Sequence, residues 1–278
     1  MRVVKQLLAV VAVSLVGSRA VLAAQGNPWL SLILGVATAA AAIMVYGWVV
    51  RRTERREVTE LARDGAAARL NRGMLIGFAM FSAVIVNIAL MGGYHVHGIG
   101  SVSGAVGIFG LMAAAAVTEE LMFRGLLFRL VEERLGTWLS LLLTGVLFGL
   151  MHLLNPDASM WGATAIAIEA GFMLAACYAA TRNLWVPIGL HFGWNVAAGG
   201  VFGVVVSGNG ESAGLLDAST SGPALLSGGD FGPEGSLYTV AAGVALTVVF
   251  LWLAHRRGHI VRRRRRVVVA PAGSVTVS

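Results

Sequence analysis

The sequence predicts an all-α polytopic membrane protein of about eight transmembrane helices, with the N- and C-termini cytoplasmic. Three observations carry this reading. Of 278 residues, 57% are hydrophobic and only 13% are charged, about half the charge of a typical soluble globular chain. The apolar residues come in long unbroken runs, and runs of roughly 18 or more read as membrane spans. The basic residues of the connections fall only in alternate ones, as the positive-inside rule requires of a multi-pass protein in a cell membrane.

The predicted spans are 6–24, 29–50, 74–94, 103–128, 137–154, 160–180, 184–206 and 237–255. The first has a second reading. Arg2 and Lys5, an apolar stretch and then VLAAQ (21–25) also resemble a signal peptide with a small-residue cleavage site. Arg19 fits neither reading well, and a retained helix is preferred. Arg2 and Lys5 precede span 1, and seven arginines from Arg51 to Arg72 lie between spans 2 and 3. Arg129 and Arg134 separate spans 4 and 5, Arg182 separates 6 and 7, and Arg256, Arg257 and Arg262 to Arg266 follow span 8. The connections 95–102, 155–159 and 207–236 contain no Lys or Arg.

This pattern divides the chain into N-terminal helices over 1–102 with a cytoplasmic segment at 51–73, and a core over 103–206. A Gly-rich extracytoplasmic loop (207–236), a last span (237–255) and a basic cytoplasmic tail (256–278) follow. Segment 52–72 mixes arginines with Glu54, Glu57, Glu60 and Asp64 and reads as a helix near the headgroups with i,i+4 charge pairs. Loop 207–236 is too long for a simple connector and reads as a disordered loop or a lid. The net charge of +7 resides in topology-setting segments, which argues against nucleic acid as a partner. The tail cluster RRRRR (262–266) reads as a topology anchor, with anionic lipid as its alternative partner. Cys177, the lone cysteine, can form neither an internal disulfide nor a cysteine-based zinc cluster and reads as a small buried apolar residue.

Ionisable residues inside spans are functional candidates, because their burial must be compensated. They are Glu119, Glu120, Arg124, His152, Glu169 and His191, with Asn195 as a polar companion. Glu120 and Arg124 are i,i+4 and can pair. Glu119 is turned about 100° from Glu120 and escapes that pairing. His191 and Asn195 share one helix face. Glu119 stands 17 residues before Gly136 and His152 stands 16 after it, so an antiparallel hairpin sets them at one level. Counting from Arg129 and Arg182, Glu119 and His191 lie ~15 and ~13 Å deep at 1.5 Å per residue. That predicts one cavity on the cytoplasmic half. Glu169 is left to face the cavity or to pair with a polar neighbour.

A carboxylate beside an imidazole can hold and deprotonate a water. A second imidazole and an amide can donate to a developing oxyanion. The set suits peptide-bond hydrolysis with no cofactor. Alternatively Glu119, His152 and His191 could ligate zinc and leave a water position open, although HExxH is absent. A buried Glu and His set also occurs in transporters, and a non-catalytic membrane scaffold is a further alternative. No inverted repeat supports transport.

The motifs EELMFR (119–124), FGLMH (148–152) and HFGWN (191–195) together resemble the CPBP intramembrane proteases, the type II CAAX prenyl endopeptidase or Abi family. The family pattern is EExxxR, FxxxH and HxxxN in that order, each within a span. The resemblance covers roughly 103–200, and LLSGGDFGPEGSL (225–237) is similar to bacterial members. It implies an eight-helix endopeptidase with Glu119 activating water and His152 as its partner. His191 and Asn195 would stabilise the oxyanion, and Glu120 and Arg124 would support them. The family has been described both as metalloproteases and as glutamate proteases; Asn195 suits the glutamate version. Twenty arginines against one lysine suggest a GC-rich bacterial source. Bacteria generally lack CAAX prenylation, so the implied substrate is a maturing peptide or a membrane-tethered regulator.

Overall fold

The computed structural model describes residues 2–210 and 213–263. The tail from 264 onward, including Arg264 to Arg266 of the basic cluster, lies outside the described residues, as does Glu211. The chain is a multi-pass helical membrane protein. Six helices are long and apolar enough to cross a membrane: Arg2–Ala23, Pro28–Glu54, Ala66–Leu90, Val102–Leu154, Met160–Thr181 and Leu237–Arg256. One of them, Val102–Leu154, is two rods. It folds back at Gly136, whose φ of 78° and ψ of 170° are open to glycine and costly for other residues. A further rod, Trp185–Val201, is apolar but shorter. The predicted spans thus each correspond to a helical rod.

The elements run α1 (Arg2–Ala23), α2 (Pro28–Glu54), α3 (Ala66–Leu90), β1 (Tyr94–Ile99), α4 (Val102–Glu120) and α5 (Arg129–Met151). After them come α6 (Met160–Ile166), α7 (Met173–Thr181), α8 (Trp185–Asn195), β2 (Leu216–Thr220), α9 (Ala224–Ser227) and α10 (Leu237–Arg256). Four helices that begin at connections free of Lys and Arg are capped by short polar side chains. Asn27, Ser101, Ser159 and Ser236 accept from the backbone N–H of Leu30, Gly104, Gly162 and Thr239. Each cap satisfies a donor that the first helical turn leaves unpaired.

Three segments are π-helical: Leu121–Phe128 after α4, Ala167–Phe172 between α6 and α7, and Val196–Val201 after α8. Such wide turns are rare and concentrate at functional sites. Here Glu119 and Glu120 end the α-helical part of one rod, Asn195 ends another, and Glu169 lies inside the third.

Close helix packing rests on glycine. Gly73 and Gly77 of α3 meet the backbone of α8 at Val186 and Leu190, while Gly189 and Gly193 of α8 meet α3 at Leu70 and Met74. Each pair is spaced i,i+4, so two GxxxG faces interlock and admit near backbone contact. Gly35 against Gly110 joins α2 to α4, and Gly145 against Gly171 joins α5 to the rod of α6 and α7.

Beside its helices the chain carries one short antiparallel ribbon of β1 and β2, Tyr94 opposite Thr220 through Ile99 opposite Leu216, with a bulge between Val96 and Gly98. Loop 207–236, expected as a disordered loop or a lid, contains regular structure. Its described part carries β2, α9 and two 3₁₀ turns, and its Glu234 is buried. Backbone pairing satisfies polar groups that a long loop would otherwise expose.

Candidate active site

The site is built from three rods. α4 delivers Glu119 and Glu120, α5 delivers Phe148 and His152, and α8 delivers His191 and Asn195. Arg124, one turn past Glu120, lies 2.7 Å away (Nη1 to Oε1) with both side chains buried. Its Nη2 donates to the carbonyl oxygens of Ala170 (2.9 Å) and Gly171 (3.1 Å). The guanidinium also sits over the Phe148 ring, 4.6 Å from its centroid. Burying this charge is tolerable because nearly every donor finds a carboxylate, a carbonyl or a π-face.

Glu120 does more than pair with Arg124. Its Oε1 lies 3.0 Å from Nδ1 of His191. A carboxylate only accepts, so Nδ1 carries the proton and Nε2 is turned toward Glu119, 4.0 Å from its Oε2. Glu120 therefore fixes both the orientation and the tautomer of His191. The Glu119 side chain keeps 32% of its surface accessible, whereas Glu120 keeps none. Helical spacing turns the two carboxylates apart: Glu120 is locked between Arg124 and His191, and Glu119 keeps an accessible face.

His152 closes α5. Its Nδ1 is 2.8 Å from the Phe148 carbonyl oxygen, another pure acceptor, so Nδ1 donates there and Nε2 is left as an acceptor. The Phe148 ring packs beside both imidazoles, with centroids 4.8 Å from His152 and 6.2 Å from His191. Phe148 is thus the hub on which Arg124 and both histidines rest.

Glu119, His152, His191 and Asn195 line one cavity of about 410 Å³. Its further walls include Ser14, Ser18 and Gln25 of the first helix and connection, together with Asn155, Ser207 and Asn209. These last three belong to the connections without Lys or Arg. The cavity therefore extends to the opposite side from the cytoplasmic half that depth counting suggested. Counting measured the distance of each residue from one membrane face; it carried no information on which side was plugged.

Glu169 neither faces the cavity nor pairs. It is fully buried, and both its carboxylate oxygens lack a hydrogen-bond partner. Its backbone packs where a Cβ on Gly243 of α10 would stand.

Sequence reasoning missed Glu234. Its Oε1 accepts from Trp194 Nε1 at 2.7 Å, and its Oε2 accepts from the Ser207 hydroxyl at 2.9 Å and from the Ser207 backbone N–H. Burial pushes this carboxyl above its ordinary range, and the donors of Trp194 and Ser207 pull the other way. A smaller cavity lined by His152, His191 and Asn195 also touches Glu234. The available signal was the sequence FGPEGSL, a lone acid among turn formers, within the stretch similar to bacterial members.

Among the described residues, no three His, Cys, Asp or Glu side chains form a group that could hold a metal ion. Glu119, His152 and His191 as placed do not constitute a ready ligand set.

Comparison with known proteins adds to this geometry. Residues 101–197 match the family model described as type II CAAX prenyl endopeptidase Rce1-like. A 150-residue stretch is 26% identical to the "Putative membrane peptidase YdiL" of Bacillus subtilis (strain 168), covering 49% of this chain and 59% of that protein. The match thus spans about three fifths of that relative's length. No solved structure matches the chain. The matched segment contains EELMFR, FGLMH and HFGWN in order, the three motifs that converge on the cavity. The Rce1-like similarity thus lies over the segment of the chain that builds the cavity.

Proposed function

We propose that this protein is an intramembrane endopeptidase of the glutamate type, which hydrolyses a peptide bond of a membrane-associated protein or peptide. The observation that carries the reading is the division of labour at α4. Glu120 is locked between Arg124 and His191, while Glu119 is left open to the cavity that His152 and Asn195 also line.

In this reading a water in the cavity donates one hydrogen bond to Glu119 and the other to the bare Nε2 of His152. Glu119 takes the proton as the hydroxide oxygen bonds to the scissile carbonyl carbon. The carbonyl oxygen becomes an oxyanion and accepts from Nε2–H of His191 and from the Asn195 amide. Because Nδ1 of His191 already donates to Glu120, a donor at Nε2 means the doubly protonated ring, whose charge Glu119 and Glu120 flank. Collapse breaks the C–N bond, and the proton held by Glu119 passes to the leaving amine. The family and the relative's printed name support a peptidase; the substrate follows from neither.

The zinc reading would use Glu119, His152 and His191, and would require them to draw together. A cleavage assay on chelator-treated, metal-analysed protein separates the two. Activity retained without metal supports the glutamate reading, and activity lost and restored by zinc overturns it. Glu119→Gln should abolish the membrane-protein cleavage products seen with the wild type, a loss of about 10²–10⁴-fold, while the protein still inserts. Undiminished cleavage in that variant would refute the assignment.

A further inference from the structure

Two faces of the molecule are closed and open in different ways. At the end bearing the arginines, a buried polar cluster joins α1, α2, the 52–72 segment and the rod of α4. Arg129 grips Glu54 with both Nη atoms, at 2.6 and 2.9 Å. Arg56 donates to Glu54 at 2.6 Å and to Glu60 at 2.7 Å. The Tyr46 hydroxyl lies 2.6 Å from Glu60 and 2.9 Å from the Gly125 carbonyl oxygen. Gln6 of α1 donates to Glu54 at 2.7 Å. Beneath this cluster the apolar core, including Tyr46, Val50, Leu121 and Phe128, is fully buried. This end has a cavity of its own, about 600 Å³ between Gly136 and the residues after α10, and it shares no lining residue with the site cavity.

The opposite end is hollow. The 410 Å³ site cavity shares Val21, Gln25, Met112 and Asn209 with a second cavity of about 380 Å³. That second cavity continues to Pro28, Gly104 and Ala213, where helices begin and the ribbon lies. The path therefore runs from Glu119 to the connections that contain no Lys or Arg. Its wall on α1 and the turn after it carries the polar side chains Ser14, Ser18 and Gln25 beside apolar Val21 and Leu22. Ser14 and Ser18 stand one turn apart, about 6 Å at 1.5 Å per residue, and Gln25 follows past the end of α1 at Ala23. Hydroxyls and an amide in a row can pair with backbone N–H and C=O groups that an extended peptide cannot satisfy in lipid. α1 packs on α2 and α4, and Leu22 and Met151 on the two flanks of the cavity are exposed, so the flank faces the bilayer.

We propose that the cavity is reached from the face without Lys or Arg, which the charge pattern makes extracytoplasmic. Its occupant is an extended polypeptide segment on the outer side of a membrane-tethered substrate, laid along Ser14 and Ser18 of α1 and Gln25 beyond it. The identity of the occupant rests on the hydrolase reading; the direction of access does not. A substrate whose scissile bond is presented in the cytoplasm, as in a cytoplasmic lipidated C-terminus, does not fit this route.

The test uses the full chain, with Cys177 buried and single cysteines introduced as Ser18→Cys, Asn209→Cys and Arg63→Cys. Each is treated with a membrane-impermeant charged thiosulfonate in spheroplasts and in inverted vesicles. Ser18→Cys and Asn209→Cys should label at least about tenfold faster in spheroplasts, since a charged reagent does not cross the bilayer readily; Arg63→Cys should show the reverse. Gln25→Cys replaces Ser18→Cys if the latter fails to insert. Labelling of the α1 site from the vesicle side, from both sides or from neither overturns the proposal, as does Arg63→Cys labelling in spheroplasts. In parallel, new N-termini produced by the wild type and absent with Glu119→Gln are mapped on their membrane proteins. Sites on the outer side support the substrate class, and sites on the cytoplasmic side overturn it. If the two proteomes are identical, the hydrolase reading fails while the labelling result stands by itself.

Discussion

At the scale of single residues, adjacent glutamates do different work because a helix turns them apart. Glu120 is fully buried with Arg124 and His191 on its Oε1, and its Oε2 has no hydrogen-bond partner. Glu120→Gln leaves Arg124 without its counter-ion, and breaking a buried pair from one side costs about 3–5 kcal/mol. Thermal unfolding in detergent should show that loss together with lost activity, whereas Glu119→Gln should lose activity alone. Glu169 is the opposite case. A buried carboxyl with no partner on either oxygen penalises the fold by roughly 1–3 kcal/mol. Glu169→Leu, close in volume, should therefore raise the unfolding temperature; a fall would mean that Glu169 has a partner in the membrane.

At the scale of elements, the position of His191 and Asn195 is set by α3 rather than by α8 itself. The interlocked pairs Gly73–Gly77 and Gly189–Gly193 let the two backbones touch, and His191 lies between the second pair. Gly77→Leu would drive a side chain into the Leu190 and Trp194 backbone. It should cost about 1–3 kcal/mol by overpacking and, on the proposed mechanism, reduce cleavage by moving His191 and Asn195. Gly98→Ala on the exposed ribbon, where a Cβ meets nothing within 4 Å, should leave both unchanged. Unaltered cleavage in Gly77→Leu would show that α8 holds its position without α3. The spacing GMLIG and GLHFG was legible in the sequence, but which glycine faces met was not. A GxxxG pattern names a face and leaves its partner open, since any close-packing helix satisfies it.

At the scale of the whole molecule, the polar seal around Glu54, Glu60 and Arg129 makes stability depend on pH. Burial by itself would push the Glu60 carboxyl up, but hydrogen bonds from Arg56 and Tyr46 outweigh it and hold it below its ordinary range. The charged form is thus favoured by folding. Its contribution is present above the ordinary carboxylate value of about 4.3 and is lost as pH falls through the lower folded value. Detergent-solubilised protein should unfold at lower temperature below about pH 4, and Glu60→Gln should blunt that dependence while lowering stability at neutral pH. An unchanged acid dependence in the variant would assign the effect to other groups.

Hydropathy runs, the alternation of arginine-rich and arginine-free connections, and three motifs at helical spacing were enough to define a multi-pass helical protein and to single out Glu119, His152, His191 and Asn195. Those signals are local: a span is a property of consecutive residues, and i,i+4 pairing is fixed by helix geometry. The tertiary structure alone decided the rest. It joined His191 to Glu120, placed Glu234 of a distant loop against Trp194, paired β1 with β2, and left Glu169 without a partner. It also decided which end of the cavity is open, because that depends on what seals the other end. Gln6, the pair Glu54 and Glu60, and Arg129 come from three separate stretches of chain, and only folding makes them neighbours.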